Sequence, residues 1–290
     1  MRKKITFTSA LLGLACLVAT GAQAEMTDPV IDRIKANNVL SIGYRETSIP
    51  FSYLDADQKP VGYSTDICLE LAETVRRQLD LPDLDINWVP VNLQNRIPLV
   101  ANGTVDISCE SAVNTIGRQS QVDFSNPFFV SHTRLLVKSD SGVTELEDLV
   151  GERIALPMNS TPEKLIKSII ERDQLDIDIV SVKDNAEGFL MLSTGRADAY
   201  ATDDILLFGL QGKAPDPSEY AVVGQALSHD SYGLLVQKNS TVFLTLVNAT
   251  LARLSREGKL ETLYDKWFTP MGIPLADDLR TSFALQAIPE

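Results

Sequence analysis

Asp106-Ile107-Ser108-Cys109-Glu110-Ser111-Ala112-Val113-Asn114-Thr115-Ile116-Gly117-Arg118, continuing through Val122-Asp123-Phe124-Ser125-Asn126-Pro127-Phe128, is the stretch on which the reading of this chain turns. It begins as a short apolar strand after the turn signal Asn102-Gly103. It then breaks into small polar residues, and an arginine follows seven positions after Ser111. A strand that ends in hydroxyl and amide residues with a guanidinium nearby can hold a carboxylate, because arginine offers a two-pronged donor and the turn offers backbone N–H groups. The same letters also describe a strand end with a surface arginine, so the decision rests on the flanking chain.

Outward from that stretch, strand and helix patterns alternate. Val39-Leu40-Ser41-Ile42-Gly43-Tyr44 reads as a strand. Gly62-Tyr63-Ser64 leads into a helix with Ile67, Leu71, Val75 and Leu79 at helical spacing and Ser64 as the expected N-cap. Ile86 to Val89 reads as a strand and Arg96 to Ala101 as a short helix. A second block repeats the pattern, with strands at 134–137, 153–156, 177–182 and 197–201 and helices at 162–172, 186–194 and 205–210. Ser160-Thr161-Pro162-Glu163 carries the cap hydroxyls, first-turn proline and early glutamate of a helix start. Strands alternating with helices imply sheets covered by helices. Phe128–Ser131 and Ala226–His229 are the expected crossings between the blocks, and 232–236 reads as a late strand. Ligands of open α/β sheets bind beyond the carboxyl ends of strands, which singles out Arg45, Ser111 to Arg118, Asn159 to Thr161, Asn185 and Asp203.

Composition narrows the function classes. Arg2, Lys3 and Lys4, an apolar run from about Ala10 to Ala19, and Ala22-Gln23-Ala24 form a secretion signal with cleavage expected after Ala24. The apolar run is too short to span a membrane. The 290 residues carry 26 basic and 39 acidic side chains; without Arg2, Lys3 and Lys4 the mature chain keeps 23 basic ones and a net charge of −16. Such acidity argues against nucleic acid and anionic membrane surfaces as partners, though not against a small anion held by local arginines. Cys68 and Cys109 remain in the mature chain, either as a disulfide, which an oxidising compartment allows, or as two buried thiols. The two histidines, His132 and His229, form no metal-spaced cluster, and no nucleophile elbow or phosphate loop is present. No cofactor is expected.

The ordered set Gly43-Tyr44-Arg45-Glu46-Thr47-Ser48-Ile49-Pro50-Phe51, Gly62-Tyr63-Ser64, Gln94-Asn95-Arg96-Ile97-Pro98, Arg118-Gln119, Phe124-Ser125, Gly195-Arg196-Ala197-Asp198-Ala199 and Asp203-Asp204 resembles the periplasmic substrate-binding proteins of polar amino acid ABC transporters. It resembles most the glutamate/aspartate-binding branch, over roughly Ile31 to Phe268. The resemblance implies a two-lobed α/β fold of the type II periplasmic binding class, each lobe a sheet flanked by helices, joined by a two-segment hinge. Lobe 1 is expected at 25–129 with 228–290, and lobe 2 at 130–227.

It further implies a monomeric, non-enzymatic periplasmic protein that closes on L-glutamate or L-aspartate and delivers it to an inner-membrane permease. Arg118 matches the arginine for the α-carboxylate, and Ser111 and Thr161 match donors near the ligand head. Asp203 matches the acceptor of the α-ammonium, and Arg45 and Arg96 match the arginines for a side-chain carboxylate. Val113 contributes backbone groups, Asn185 stands where relatives carry a histidine, and Phe51 packs either against the ligand or in the core. Of the neighbouring aspartates, Asp204 is the better helix cap. Glu110, Leu93 and Asn185 depart from the branch pattern, and Glu110 would repel an acidic ligand if it faced the cleft. A binding protein for a neutral amino acid such as glutamine is one alternative. A secreted cyclohexadienyl dehydratase-like enzyme on the same fold, with Glu110 as general acid, is the other.

Overall fold

The alternation of strands and helices resolves into two five-stranded sheets built on one plan, beside a three-stranded and a two-stranded sheet. The computed structural model describes residues 28–289, so the secretion signal read in residues 1–24 lies outside the described residues. In the first sheet the order is Asp85–Pro90, Val39–Tyr44, Ile107–Ser108, Leu235–Gln237, Val122–Phe124. The second runs Asp178–Val182, Arg153–Pro157, Ala199–Asp203, Thr133–Lys138, Tyr220–Val223. In each, three parallel strands are followed by an antiparallel one and then a fifth. Each sheet has its own apolar core. Leu40, Ile42, Ile67, Leu71 and Phe243 belong to the first, and Leu135, Ile154, Leu156 and Ile166 to the second.

The helix Tyr63–Gln78 shows why local patterning works and where it stops. Ile67, Leu71 and Val75 are buried along one face, as their spacing requires. Its start, however, is not capped by Ser64. The backbone N–H of Tyr63 donates to the Pro50 carbonyl at 2.9 Å and that of Ser64 to Phe51 at 3.0 Å, so a neighbouring loop satisfies the first turn. Gly62 makes this possible: at φ +135°, a Cβ there would lie 2.2 Å from the Phe51 carbonyl oxygen. The Ser64 hydroxyl is thereby free to donate to the Glu110 carbonyl at 3.2 Å. By contrast, the helix Thr161–Asp173 begins as expected. Ser160 Oγ accepts from the Glu163 N–H at 3.0 Å, and Glu163 returns a bond to the Asn159 N–H at 2.7 Å.

Two adjacent antiparallel strands, Phe129–Ser131 and Asp230–Tyr232, connect the halves. The second crossing therefore falls just after the expected 226–229, because Leu227 and Ser228 still bond to Thr133 of the second sheet. The expected strand 232–236 is split between the crossing and Leu235–Gln237, with Gly233 pressed against Phe124 at the break. Strand Tyr220–Val223 and helix Asp277–Gln286 carried no recognised pattern. Cys68 and Cys109 are bonded, with Cα atoms 6.4 Å apart, which decides the open alternative in favour of the disulfide. A cross-link over a sequence separation of 41 contributes about 4 kcal/mol in the chain-entropy picture. It ties the residue preceding Glu110 to the helix Tyr63–Gln78. Among the described residues, no helix is long and apolar enough to cross a membrane.

Candidate functional site

The carboxyl ends of the parallel strands in both sheets face one cleft, as open α/β sheets dictate. From the first half, Arg45 leaves the strand Val39–Tyr44, Ser111 and Val113 follow Ile107–Ser108, and Arg96 opens the helix Arg96–Ala101. Arg118 lies in the short helix Ile116–Gln119, whose start is capped by Thr115. From the second half, Thr161 and Asn185 each begin a helix and Asp203 ends the strand Ala199–Asp203. Eight of the nine expected residues thus line a single cleft, together with Ser48, Leu93, Ser160 and Thr202. Phe51 is the exception and is corrected here. It is fully buried in an aromatic cluster, its ring 4.8 Å from Phe129 and 5.2 Å from Tyr232, because this face of the loop packs onto the helix Tyr63–Gln78 and the hinge.

At one end of the cleft, groups from the two halves approach each other. Arg118 donates from Nη1 to the Val113 carbonyl at 2.7 Å and from Nη2 across the cleft to the Asn159 carbonyl at 3.3 Å. Burial, with Arg96 nearby, lowers its pKa to about 10, so it stays charged at neutral pH. Asp203 accepts the Tyr232 hydroxyl on Oδ2 at 2.5 Å, while its buried Oδ1 has no partner. Burial pushes its carboxyl up to about 7; Asp230 and Asp204 add to the rise, whereas the Tyr232 hydrogen bond and Arg118 oppose it. The helix Asp204–Lys213 has Asp203, not the expected Asp204, at its N-cap and makes no side-chain cap bond; Asp204 is the first helical residue and accepts from the adjacent Ile205 N–H at 2.7 Å. It also receives the Ser131 hydroxyl at 2.8 Å and lies 3.2 Å from His132 Nδ1, and His132 in turn meets His229 at 3.1 Å.

At the other end, Arg45 and Arg96 are nearly inaccessible, and both face Glu110. Arg96 Nη1 donates to Glu110 Oε2 at 2.7 Å, Arg45 Nη1 lies 3.5 Å from the same oxygen, and Ser108 Oγ donates to Oε1 at 3.0 Å. Burial alone would raise the Glu110 carboxyl, but the Arg96 and Arg45 guanidiniums outweigh it and hold it below the usual carboxylate range. Glu110 is itself wholly buried and does not line the cleft, so it does not face a ligand. Arg96 Nε and Ser48 Oγ are buried without a partner. Asn185 takes the Tyr200 hydroxyl at 2.8 Å and donates across the cleft to the Thr47 carbonyl at 3.3 Å. Nearby the halves touch backbone to backbone: a Cβ on Gly209 would lie 2.4 Å from the Ile49 carbonyl oxygen.

Sequence reasoning missed Ser48 and Thr202 as cleft residues and Tyr232 as the partner of Asp203. Ser48 and Thr202 stand within three residues of predicted positions, so proximity was a usable signal. Tyr232 arrives from a distant strand and left none.

A model of the bacterial extracellular solute-binding proteins, family 3, matches residues 40–270. A glutamate/aspartate import solute-binding protein of Salmonella typhimurium is 36% identical over 97% of this chain and 96% of its own length. An L-glutamate/L-aspartate-binding protein of Pseudomonas aeruginosa is 37% identical over 93% of each. Among solved structures, a mutant of ArgBP from T. maritima superposes with a TM-score of 0.74 at 27% identity, covering 83% of this chain and 99% of that one. The ancestral amino acid-binding protein AncCDT-1, a precursor of cyclohexadienyl dehydratase, gives 0.72 at 27% identity, covering 82% and 99%. With a cleft between two sheets, a matching family model over most of its length and full-length relatives above 30% identity, the chain belongs to the bacterial extracellular solute-binding proteins, family 3.

Proposed function

We propose that this protein is the periplasmic solute-binding component of an amino acid ABC importer, that it binds L-glutamate or L-aspartate between its lobes, and that it hands the ligand to an inner-membrane permease as a monomer. The lobes are taken as 25–129 with 228–290, and 130–227. One observation carries the reading. Arg118 and Asp203 approach from opposite lobes, Asp203 with an unpartnered oxygen, as the two ends of an α-amino acid zwitterion require. Arg118 takes the α-carboxylate with Ser111, Val113 and the helix-opening Thr161, where backbone donors favour an anion. Asp203 takes the α-ammonium. Arg45 and Arg96 take the side-chain carboxylate, with Asn185 beside them. Ligand bonds that bridge both lobes hold them together, and exclusion of water strengthens those bonds. The names of the similar Salmonella and Pseudomonas proteins support the acidic ligand.

The test is isothermal titration of the mature protein, stripped of ligand by unfolding and refolding with the disulfide intact, against the common amino acids. L-glutamate or L-aspartate should bind near micromolar, about −8 kcal/mol, and L-glutamine far more weakly. Preference for a neutral amino acid would sink the acidic assignment. The dehydratase alternative draws on the likeness to AncCDT-1. It is disfavoured by Glu110, which is held ionised behind two arginines and has no proton to give as a general acid. Turnover of prephenate by the same preparation would revive it.

A further inference from the structure

An acidic ligand calls for Arg45 and Arg96, but it does not call for the buried carboxylate that already occupies them. Glu110 engages both guanidiniums through a single oxygen, at 2.7 and 3.5 Å, and lies behind them rather than in the cleft. It cannot swing aside: Ser108 holds its second oxygen, Ser64 holds its carbonyl, and its neighbour Cys109 is disulfide-bonded. Arg96 meanwhile keeps a buried Nε without a partner, and Ser48 in the cleft lining keeps a buried hydroxyl without one.

We propose that Glu110 is a built-in counter-ion that competes with the ligand's side-chain carboxylate for Arg96 and Arg45, limiting affinity for acidic amino acids while keeping the ligand-free protein stable and able to release its cargo. The inference rests on the acidic reading of the cleft and adds a positioning residue that sets its strength. Two buried guanidiniums against one carboxylate leave one net positive charge, which one ligand carboxylate balances. Without Glu110 the ligand-free site would hold two like charges and the liganded site one. The electrostatic penalty of a buried site grows faster than its net charge, so neutralising Glu110 harms the ligand-free protein more than the complex. By linkage, the ligand must then bind more tightly to the folded form while the ligand-free protein melts earlier.

The experiment compares wild type, Glu110→Gln and Glu110→Asp by titration with L-glutamate, L-aspartate and L-glutamine and by ligand-free melting, at one pH and salt concentration. Glu110→Gln, which keeps the shape but not the charge, should melt lower and bind the preferred acidic amino acid about tenfold or more tightly, with L-glutamine shifting by less than threefold. Glu110→Asp withdraws the charge from Arg96 by one methylene and should tighten the acidic ligand by a smaller factor. It decides the matter if the glutamine variant does not fold. Unchanged or weaker binding of the acidic ligand, or equal tightening of L-glutamine, overturns the proposal, because a merely structural role would not separate the two ligands. Wild type that binds neither L-glutamate nor L-aspartate defeats the reading of the cleft, and this inference with it. Wild type that binds one of them, with variants that do not tighten, defeats this inference alone.

Discussion

The two ends of the cleft manage charge in opposite ways. At the Arg118–Asp203 end the charged groups come from different lobes and meet only across the cleft. At the Arg45–Arg96 end all three ions, Glu110 included, come from the first lobe and are paired within it. An ionic site divided between lobes is completed by closure, so it suits recognition of the zwitterion that every amino acid carries. A site assembled within one lobe exists whether or not the lobes meet, so it suits discrimination among side chains and also bears on folding.

The contrast can be broken by substitution. Arg118→Ala should cost the most binding, about a thousandfold for acidic and neutral amino acids alike, or about 4 kcal/mol, while ligand-free melting changes little; titration and calorimetry on one sample would check both. Arg96→Ala should behave the other way round. It leaves Glu110 buried with only the more distant Arg45, so the ligand-free protein should lose about 3–5 kcal/mol of stability. Its binding loss should fall on dicarboxylates, by roughly tenfold to a hundredfold, and hardly on neutral amino acids. Equal loss for both ligand types would remove the side-chain role assigned to this end.

A gentler probe is pH. Asp203 is pushed up to about 7 without a ligand, and an ammonium partner favours its ionised form. Binding below pH 7 therefore releases a proton, and affinity should fall as pH drops, by up to about tenfold per unit. For stability the sign is opposite to that of the usual salt-bridged carboxylate. A raised folded-state pKa means the ligand-free protein loses stability as pH rises from about 4 towards 7. Asp203→Asn should flatten the slope of affinity between pH 5 and 7, and a slope that persists would shift the titration to another group.

How much of this was legible in the sequence follows from where each piece of information sits. Arg45, Ser111, Thr161 and Asp203 stand just beyond strands or at helix starts, and the rule that ligands bind at strand ends finds such positions without coordinates. Phe51 was ambiguous because an aromatic ring leaving a strand can turn to either side, and only the cluster formed with Phe129, Tyr232 and Phe268 shows which. Ser64 looked like a cap because its letters fit, while the loop carbonyls that replace it are invisible in one dimension. Glu110 was the hardest. Its partners lie 14 and 65 positions away, at Arg96 and Arg45, so what looked like a repulsive intruder is a paired ion. His132 and His229 stand at the two expected crossings without metal spacing, and a separation of 97 positions in the sequence hides their 3.1 Å contact.

The bare backbone contact between Gly209 and Ile49, neither of which lines the cleft, gives the molecule a tuning point outside the cleft lining. A single methyl at position 209 would act as a wedge between the lobes and deplete the population in which the cleft is complete. Apparent affinity scales with that population, so Gly209→Ala would weaken every ligand by the same factor and leave the rank order of ligands untouched. Under the proposed function, selectivity and occupancy become separate dials, the first set by ions inside one lobe and the second by how closely two stretches of main chain can approach.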